Sequence, residues 1–330
     1  MDGSSGTKAT RRKRAMKALS NVPFFPSLIT LGNAFCGFLA IIKITDAAFL
    51  VGSRPLTAAL QPEVFARIET AGLLIFLAMI FDALDGKVAR LTDQTTDFGA
   101  QLDSLADVIT FGVAPAVLAK FMVDLHQPPH GDLLPSHPKF YYLCAALFAL
   151  FAVMRLARFN VETPSHSEEA HREFSGLPTP AAAAAIVSLL LFICAQTDNR
   201  EITNLLFSPT IYNSLIRFLP LVLFLTGLLM ISTLPYPHFM NTVFRGRKSF
   251  PFLALAVFVL ILGALEWRIV LLSLCALYLL TGPVIGIFRL FFGGKDSGGD
   301  GELDEEVEEE DPGGQGTSQV LRRIEPGPRA

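Results

Sequence analysis

The chain has 330 residues, of which 51% are hydrophobic and 17% are charged, whereas soluble globular proteins carry about 25% charged residues. This composition excludes a disordered or collagen-like chain and favours a protein with several membrane-spanning helices. The formal net charge of -3 is an average over a basic N-terminal segment, a nearly neutral apolar body and an acidic tail.

Eight apolar stretches are each long enough to cross the hydrocarbon core of a bilayer, which takes about 20 residues. The last two are separated only by Glu266, Trp267 and Arg268, and we interpret them as a tight hairpin. The predicted spans are residues 27–50, 68–90, 98–122, 140–160, 179–197, 214–234, 251–268 and 269–291. We therefore predict an all-α fold, a polytopic transmembrane helix bundle with about eight spans.

Lys and Arg residues are distributed unequally between the two sides of this bundle. With the N-terminus in the cytoplasm, the cytoplasmic side holds about twice as many as the other side, as the positive-inside rule requires. We therefore expect an integral membrane protein with both termini in the cytoplasm. No small-residue cleavage site follows the first apolar run, so it is interpreted as a retained helix and not a signal peptide.

Four aspartates, Asp82, Asp85, Asp103 and Asp107, lie at the ends of the second and third predicted helices. Spacings of three and four residues place each pair on one helical face. A short connection makes the two helices antiparallel neighbours, so the four carboxylates are expected to converge near the cytoplasmic side. Asp97 is expected to act as the N-cap of the third helix.

These acids need compensating charge, because one acid at the centre of a membrane helix costs about 2.5 to 3.5 kcal/mol. Four would cost on the order of 10 kcal/mol, less near the interface. Lys87 and Arg90 would neutralise two at most. Two divalent cations about 3.5 to 4 Å apart would compensate all four and bind phosphate oxygens, and ligands that are all oxygen favour Mg²⁺ or Mn²⁺ over zinc.

Small residues accompany the acids. Gly86, Ala89 and Gly99 permit close approach of helices and leave room for a substrate. Lys87 and Arg90 then become phosphate contacts, and Arg90 offers the bidentate geometry that Lys lacks. The alternative is a set of charged side chains that reach from helix ends to the interface without binding a ligand.

The pattern D-x2-D-G-x2-A-R-x8-G-x3-D-x3-D resembles the signature of the CDP-alcohol phosphatidyltransferases. Its fixed positions are Asp82, Asp85, Gly86, Ala89, Arg90, Gly99, Asp103 and Asp107. The resemblance implies a core of six transmembrane helices, a homodimer and two bound divalent metal ions. It also implies that the first three aspartates bind metal, that Asp107 helps to bind it and acts as general base, and that a cytidine diphosphate group lies over Gly86, Ala89 and Arg90.

Within that family, the chain is similar to the membrane-embedded phosphatidylserine synthases. The similar segments are residues 26–37 (PSLITLGNAFCG), 102–107 (LDSLAD), 111–116 (FGVAPA), 155–160 (RLARFN) and 175–180 (SGLPTP). Ser27 departs from a common Asn, and Val108 stands where relatives that use glycerol phosphate usually carry Lys. This similarity implies transfer of the phosphatidyl group from CDP-diacylglycerol to L-serine, with release of CMP.

The positions and charges of residues, together with the resemblance, suggest which residues bind the two substrates. The expected CDP-lipid contacts are Thr30, Asn33, Gly86, Lys87, Ala89, Arg90 and Gly99. Arg155 and Arg158, three residues apart at the cytoplasmic end of the fourth helix, are candidates for serine or phosphate recognition. Positive-inside anchoring explains them equally well. Residues 175–180 are assigned to the substrate pocket.

The expected organisation has four parts: a basic cytoplasmic segment (1–22), a catalytic membrane domain (23–235), two additional C-terminal transmembrane helices (236–292) and a disordered acidic cytoplasmic tail (293–330). The tail is rich in Gly, Glu and Asp and buries too little apolar surface to offset its ordering entropy. We expect the protein in a bacterial cytoplasmic membrane, in contact with lipid and without a nucleic-acid partner.

Two other functions remain open at this point. One is another enzyme of the same family, which uses glycerol 3-phosphate, inositol phosphate or an archaeal lipid. The other is a transporter whose intramembrane acids bind cations without chemistry. A transporter is expected to have acids scattered through its midplane or broken helices, whereas these acids are clustered at one cytoplasmic end.

Overall fold

The computed structural model describes residues 24–53, 60–91, 96–126, 138–162, 176–195, 209–236 and 250–292. The basic segment 1–22 and the acidic tail 293–330 lie outside these residues, so the expectations for them stay predictions. The described part of the chain is almost entirely helical, which confirms the all-α fold class.

Eight α-helices make up most of the described residues. They are α1 (Phe24–Ser53), α2 (Gln61–Leu91), α3 (Asp97–Asp107), α4 (Ala114–His126), α5 (Pro138–Glu162), α6 (Thr179–Ala195), α7 (Pro209–Ile231) and α8 (Phe250–Phe292). A π-helical turn, Val108–Val113, joins α3 to α4. These three elements therefore form one continuous helical run, Asp97–His126.

Six of the described helical runs are long and apolar enough to cross a membrane, with lengths from 19 to 33 residues. The α6 helix is shorter, at 17 residues. Large apolar side chains on the outside of the bundle, such as Phe35, Phe38 and Phe49, are more than half exposed. Exposed apolar surface of this extent is the surface that lipid covers, which confirms a polytopic membrane protein.

The C-terminal helix α8 has a break where the sequence predicts one. The sequence predicts two spans, 251–268 and 269–291, joined by a hairpin, and the structure has two helical parts that meet at a kink, where Glu266 has non-helical backbone angles (φ -141°, ψ 69°). The break lies in the predicted polar junction of Glu266, Trp267 and Arg268. That the two parts cross the membrane separately stays a prediction.

The α6 helix lies at the centre of the bundle and contacts α2, α4, α7 and α8. Its side chains are apolar on every face, which is typical of a helix surrounded by others. Ile186, Val187 and Leu190 are fully buried. The peripheral helices pair around it, and the most extensive of these contacts is between α1 and α2.

At Gly37, α1 lies very close to the π-helical turn. A Cβ atom there would lie 2.9 Å from the Cα of Thr110, so no side chain fits between the two backbones. The Thr110 hydroxyl donates to the backbone oxygen of Asn33 at 3.2 Å. Small residues commonly permit such contacts between membrane helices.

The sequence predicts close helix contacts beside the acids, and the structure also has close contacts at glycines elsewhere in the bundle. Gly72 packs against Leu191, and Gly227 packs against α5. A Cβ atom on Gly99 would meet the Thr96 hydroxyl of the same helix end, at 3.3 Å. Gly99 therefore leaves open space beside the acids and does not serve as a helix contact.

A buried ion pair attaches α8 to α2. Arg268 is only 7% exposed, and its guanidinium donates to the carboxylate of Glu69. The Arg268 guanidinium also lies 5.3 Å from the centre of the Trp267 ring, within the range of a cation–π interaction.

We expect Gly37→Ala to destabilise the protein, because its methyl group would push α1 away from the π-helical turn. Overpacking of this kind costs about 1 to 3 kcal/mol. Gly52→Ala is the matched control on the same helix, because nothing lies within 4 Å of a Cβ atom there. Thermal unfolding in detergent measures both variants, and equal midpoints for the two would contradict this packing.

Candidate metal and substrate site

Three aspartates from two helices meet at one end of the bundle. Asp82 and Asp85 lie near the end of α2, and Asp103 lies in α3. One carboxylate oxygen from each lies within 4.8 Å of the others. The convergence predicted for these acids is therefore present, and we call this group the carboxylate cluster.

The N-terminus of α3, the helix that carries Asp103 and Asp107, is capped by a side chain. Thr96 has extended backbone angles, and its hydroxyl accepts a hydrogen bond from the Gly99 amide at 3.1 Å. Thr96 is therefore the N-cap, and the expectation that Asp97 caps this helix is wrong. Asp97 lies in the first turn and is exposed, where a negative charge still favours the helix N-terminus.

Two oxygens in the carboxylate cluster are buried and have no hydrogen-bond partner, Oδ2 of Asp85 and Oδ1 of Asp103. Asp85 is only 5% exposed, and Thr30 of α1 and the Gly86 amide interact with its carboxyl group. Burying acceptors without donors is unfavourable, and carboxylates so close together repel one another. A bound cation removes both penalties.

The ion pairs of Arg67, Lys120 and Arg268 lie away from the carboxylate cluster. They join Arg67 to Asp46 and Glu63, Lys120 to Asp124, and Arg268 to Glu69. The oxygens of the cluster are the ligand type that Mg²⁺ and Mn²⁺ prefer. The cluster can therefore bind a divalent metal ion.

Asp107 is the last residue of α3 and is only 6% exposed. It is not one of the three residues in the cluster, but the Asn33 side chain donates a hydrogen bond to its Oδ1 at 3.0 Å. Asn33 is fully buried, so α1 holds this carboxyl group in place. The π-helical turn begins at the next residue, and such turns occur frequently at functional sites.

A cavity of about 320 Å³ lies beside the carboxylate cluster. Its polar lining comes mainly from α3 and α5, and its other walls come from the start of α6, residue 236 and α8. The lining residues are Ala100, Asp103, Ser104, Asp107, Arg155, Leu156, Phe159, Asn160, Pro178, Pro180, Tyr236 and Tyr278. Two aspartates and one arginine therefore face the same space.

Arg155 reaches the cavity from α5 and is held from α6. Its Nη1 donates to the hydroxyl of Thr179 at 3.0 Å, and Thr179 is fully buried. The Nε of Arg155 is buried and has no hydrogen-bond partner in the structure. A half-buried guanidinium that lines the cavity and has an unpartnered donor is suited to bind an anionic group of a substrate.

The chain before α6 forms a fixed turn against the end of α7. Gly176 has a positive φ of 93° and donates to the backbone oxygen of Leu234 at 2.9 Å. A Cβ atom on Gly176 would lie 2.6 Å from the Met230 oxygen, so both the torsion and the space require glycine. This turn places Pro178 and Pro180 against the cavity, in the segment that the sequence assigns to the substrate pocket.

One polar pair at the cavity was not identified from the sequence. Ser104 and Asn160 exchange hydrogen bonds of 3.0 and 3.2 Å between α3 and α5. Both residues belong to segments that carry the family resemblance, 102–107 and 155–160. The resemblance therefore indicated that these two segments matter, but the spacing of residues in the sequence does not predict that Ser104 and Asn160 pair.

The remaining predicted site residues lie around the end of α2 and on α5. Gly86 and Lys87 are exposed, and Ala89 is half-buried. The side chain of Arg90 lies outside the described residues. Arg158 is exposed and is absent from the cavity lining, so the structure brings only Arg155 of this pair to the cavity.

Comparison with known proteins identifies the family. The sequence model of the CDP-alcohol phosphatidyltransferase family matches residues 24–230 of this chain. A CDP-diacylglycerol–serine O-phosphatidyltransferase of Helicobacter pylori strain J99 is 31% identical over 81% of this chain and 92% of its own length. The protein of the same name in H. pylori strain 26695 is 34% identical over 65% of this chain and 72% of its own length.

A protein named archaetidylserine synthase, from Methanothermobacter thermautotrophicus, is 33% identical over 53% of this chain and 61% of its own length. Both names describe enzymes that make a serine-containing lipid. The family match covers more than half of the chain and includes the carboxylate cluster and Asp107. The chain belongs to the CDP-alcohol phosphatidyltransferase family.

Proposed function

We propose that this protein transfers the phosphatidyl group of CDP-diacylglycerol to the hydroxyl of L-serine and forms phosphatidylserine and CMP. The names of its relatives in Helicobacter pylori support this reaction. The observation that carries the proposal is the position of Asp103. This residue belongs to the carboxylate cluster and also lines the cavity, together with Asp107 and Arg155. A metal site and an acceptor site are therefore adjacent.

Two divalent metal ions, Mg²⁺ or Mn²⁺, are proposed as cofactors. Asp82, Asp85, Asp103 and Asp107 would hold them, and the unpartnered oxygens of Asp85 and Asp103 support this assignment. When bound, the ions would neutralise the diphosphate and stabilise the charge that develops during phosphoryl transfer.

The chain's own residues supply the remaining chemistry. Asp107 accepts the proton of the serine hydroxyl, and the Asn33 amide fixes the orientation of that carboxylate. The serine oxygen then forms a bond to the phosphorus attached to diacylglycerol. The bond from that phosphorus to the CMP oxygen breaks, and CMP leaves with the bonding electrons.

The CDP-lipid is proposed to bind along the ends of α1 and α2. The residues assigned to it are Thr30, Asn33, Gly86, Lys87, Ala89, Arg90 and Gly99. The exposure of Gly86 and Lys87 and the open space beside Gly99 support an accessible groove there. Lys87 and Arg90 would contact its phosphates.

Arg155 is proposed to bind the carboxylate of serine. Its position in the cavity and its unpartnered Nε support this role. Arg158 is exposed, which is more consistent with the alternative role of an anchor at the positively charged membrane side.

The wider organisation is also proposed. Residues 23–235 form the catalytic membrane domain, and residues 236–292 add to it. The active site and both termini face the cytoplasm, in a bacterial cytoplasmic membrane, as the distribution of Lys and Arg indicates. A homodimer is expected from the family resemblance.

The purified protein in mixed micelles is expected to release CMP from CDP-diacylglycerol when L-serine and Mg²⁺ or Mn²⁺ are present. Parallel reactions contain glycerol 3-phosphate, inositol phosphate or an archaeal ether-lipid donor, and a chelator is the control for metal dependence. Release of CMP with a different alcohol alone would overturn the serine assignment and leave the family chemistry intact.

Asp107→Asn is expected to retain metal and CDP-lipid binding, because Asp107 lies outside the carboxylate cluster and the three cluster residues remain. It is expected to lose most turnover, because the amide cannot accept the hydroxyl proton. A positioned general base contributes about 10²- to 10⁴-fold, so kcat should fall within that range. Rates and CDP-lipid affinity are measured on the same preparation. A fully active variant would rule out the general-base role.

Asp85→Asn is expected to weaken Mn²⁺ binding by about 10-fold or more, because one charged ligand is lost. Binding is measured by electron paramagnetic resonance of Mn²⁺ with protein in detergent. Asp97→Asn is the matched control, since Asp97 is exposed and lies outside the cluster. Equal Mn²⁺ affinity in the two variants would contradict the proposed site.

A further inference from the structure

One wall of the cavity comes from residues beyond the part of the chain that matches the family. The match ends at residue 230, whereas Tyr236 and Tyr278 both line the cavity. Tyr278 belongs to α8, which packs mainly on α6. The space beside Asp107 and Arg155 is therefore completed by a helix that the family match does not include.

This wall is held by specific contacts. The rings of Tyr236 and Tyr278 lie 5.9 Å apart, and the Tyr236 hydroxyl donates to the backbone oxygen of Leu279 at 3.2 Å. Gly282 faces the Tyr236 ring so closely that a Cβ atom would overlap it. Burial raises the pKa of Tyr236 to about 12, so its hydroxyl stays protonated and remains a donor.

The wall formed by Tyr236 and Tyr278 lines the same cavity as Arg155. The Arg155 guanidinium is bonded to Thr179 on one side and interacts electrostatically with Tyr278 and Asp107. An acceptor whose anionic group binds Arg155 and whose hydroxyl reaches Asp107 must fit between them. Tyr278 and Arg155 line the same cavity, so Tyr278 limits the space available to a group bound at Arg155.

We propose that Tyr278 is a specificity-determining residue for the acceptor alcohol. Its ring closes the Arg155 end of the cavity, so that a small hydroxylated amino acid fits and a larger phosphorylated alcohol is excluded. This inference rests on the proposed function, because it takes the cavity to be the acceptor site. The contact differs from the metal and CDP-lipid contacts, which the cluster and the ends of α1 and α2 provide.

The test compares Tyr278→Ala and Tyr278→Phe with the wild type in the full-length protein. KM is measured for serine and for CDP-diacylglycerol, and kcat/KM is measured for serine and for glycerol 3-phosphate. Leu277→Ala is the matched control, because the neighbouring side chain on the same helix is 66% exposed and does not line the cavity. KM does not depend on the fraction of active protein, so a lower yield of folded variant does not affect it.

We expect Tyr278→Ala to raise KM for serine by about 10-fold, which corresponds to 1.4 kcal/mol, and to leave KM for CDP-diacylglycerol within about two-fold. Its preference for serine over glycerol 3-phosphate should fall, while Tyr278→Phe and Leu277→Ala should keep the wild-type preference.

An unchanged KM and preference in Tyr278→Ala would overturn the inference. An equal change in Tyr278→Phe would also overturn it, because the hydroxyl and not the ring would then be responsible. If the wild type uses an alcohol other than serine, the serine assignment fails, and the same preference ratio measured with that alcohol decides the role of Tyr278.

Discussion

The main constraint on this structure is a group of partly or fully buried carboxylates at the ends of membrane helices. Each acid costs about 2.5 to 3.5 kcal/mol at the centre of such a helix, and bringing three within 4.8 Å adds mutual repulsion. Packing of apolar side chains does not offset this charge. A cation does, and the same cation is what a diphosphate substrate requires. The clustered carboxylates therefore destabilise the fold when no metal ion is bound, but they favour the binding of the metal ion and of the diphosphate substrate.

The position of Asp107 depends in turn on a contact that carries no charge. Asn33 reaches this carboxyl group because α1 lies directly against the π-helical turn. That approach requires Gly37, since any side chain there would separate the two backbones. A glycine in a membrane helix thus determines where the proposed general base lies. Packing and catalysis are linked through one interface, between α1 and the helical run Asp97–His126.

Much of the fold and of the carboxylate cluster followed from the sequence, because apolar length and helical spacing are local properties. The convergence of Asp82, Asp85 and Asp103 is such a case. The structure corrected a prediction that depended on a detail of the backbone: Thr96, and not Asp97, caps α3. No sequence pattern pointed to Tyr278, because its contact with the cavity depends on how a distant helix packs, which is a tertiary property.

The carboxylate cluster lies on α2 and α3, whereas the cavity is also lined by α5 and α8. This arrangement bears on how members of the family distinguish acceptor alcohols. A metal-bound diphosphate is the same whichever alcohol attacks it, so the carboxylate cluster by itself does not select the alcohol. Selection requires groups that interact with the acceptor beyond its hydroxyl, and Arg155, which lines the cavity, is proposed to be one such group. A single guanidinium binds carboxylates and phosphates alike, so charge alone does not separate serine from glycerol 3-phosphate. The shape of the cavity around Arg155 must contribute the difference, and that shape is partly set by a helix outside the family match.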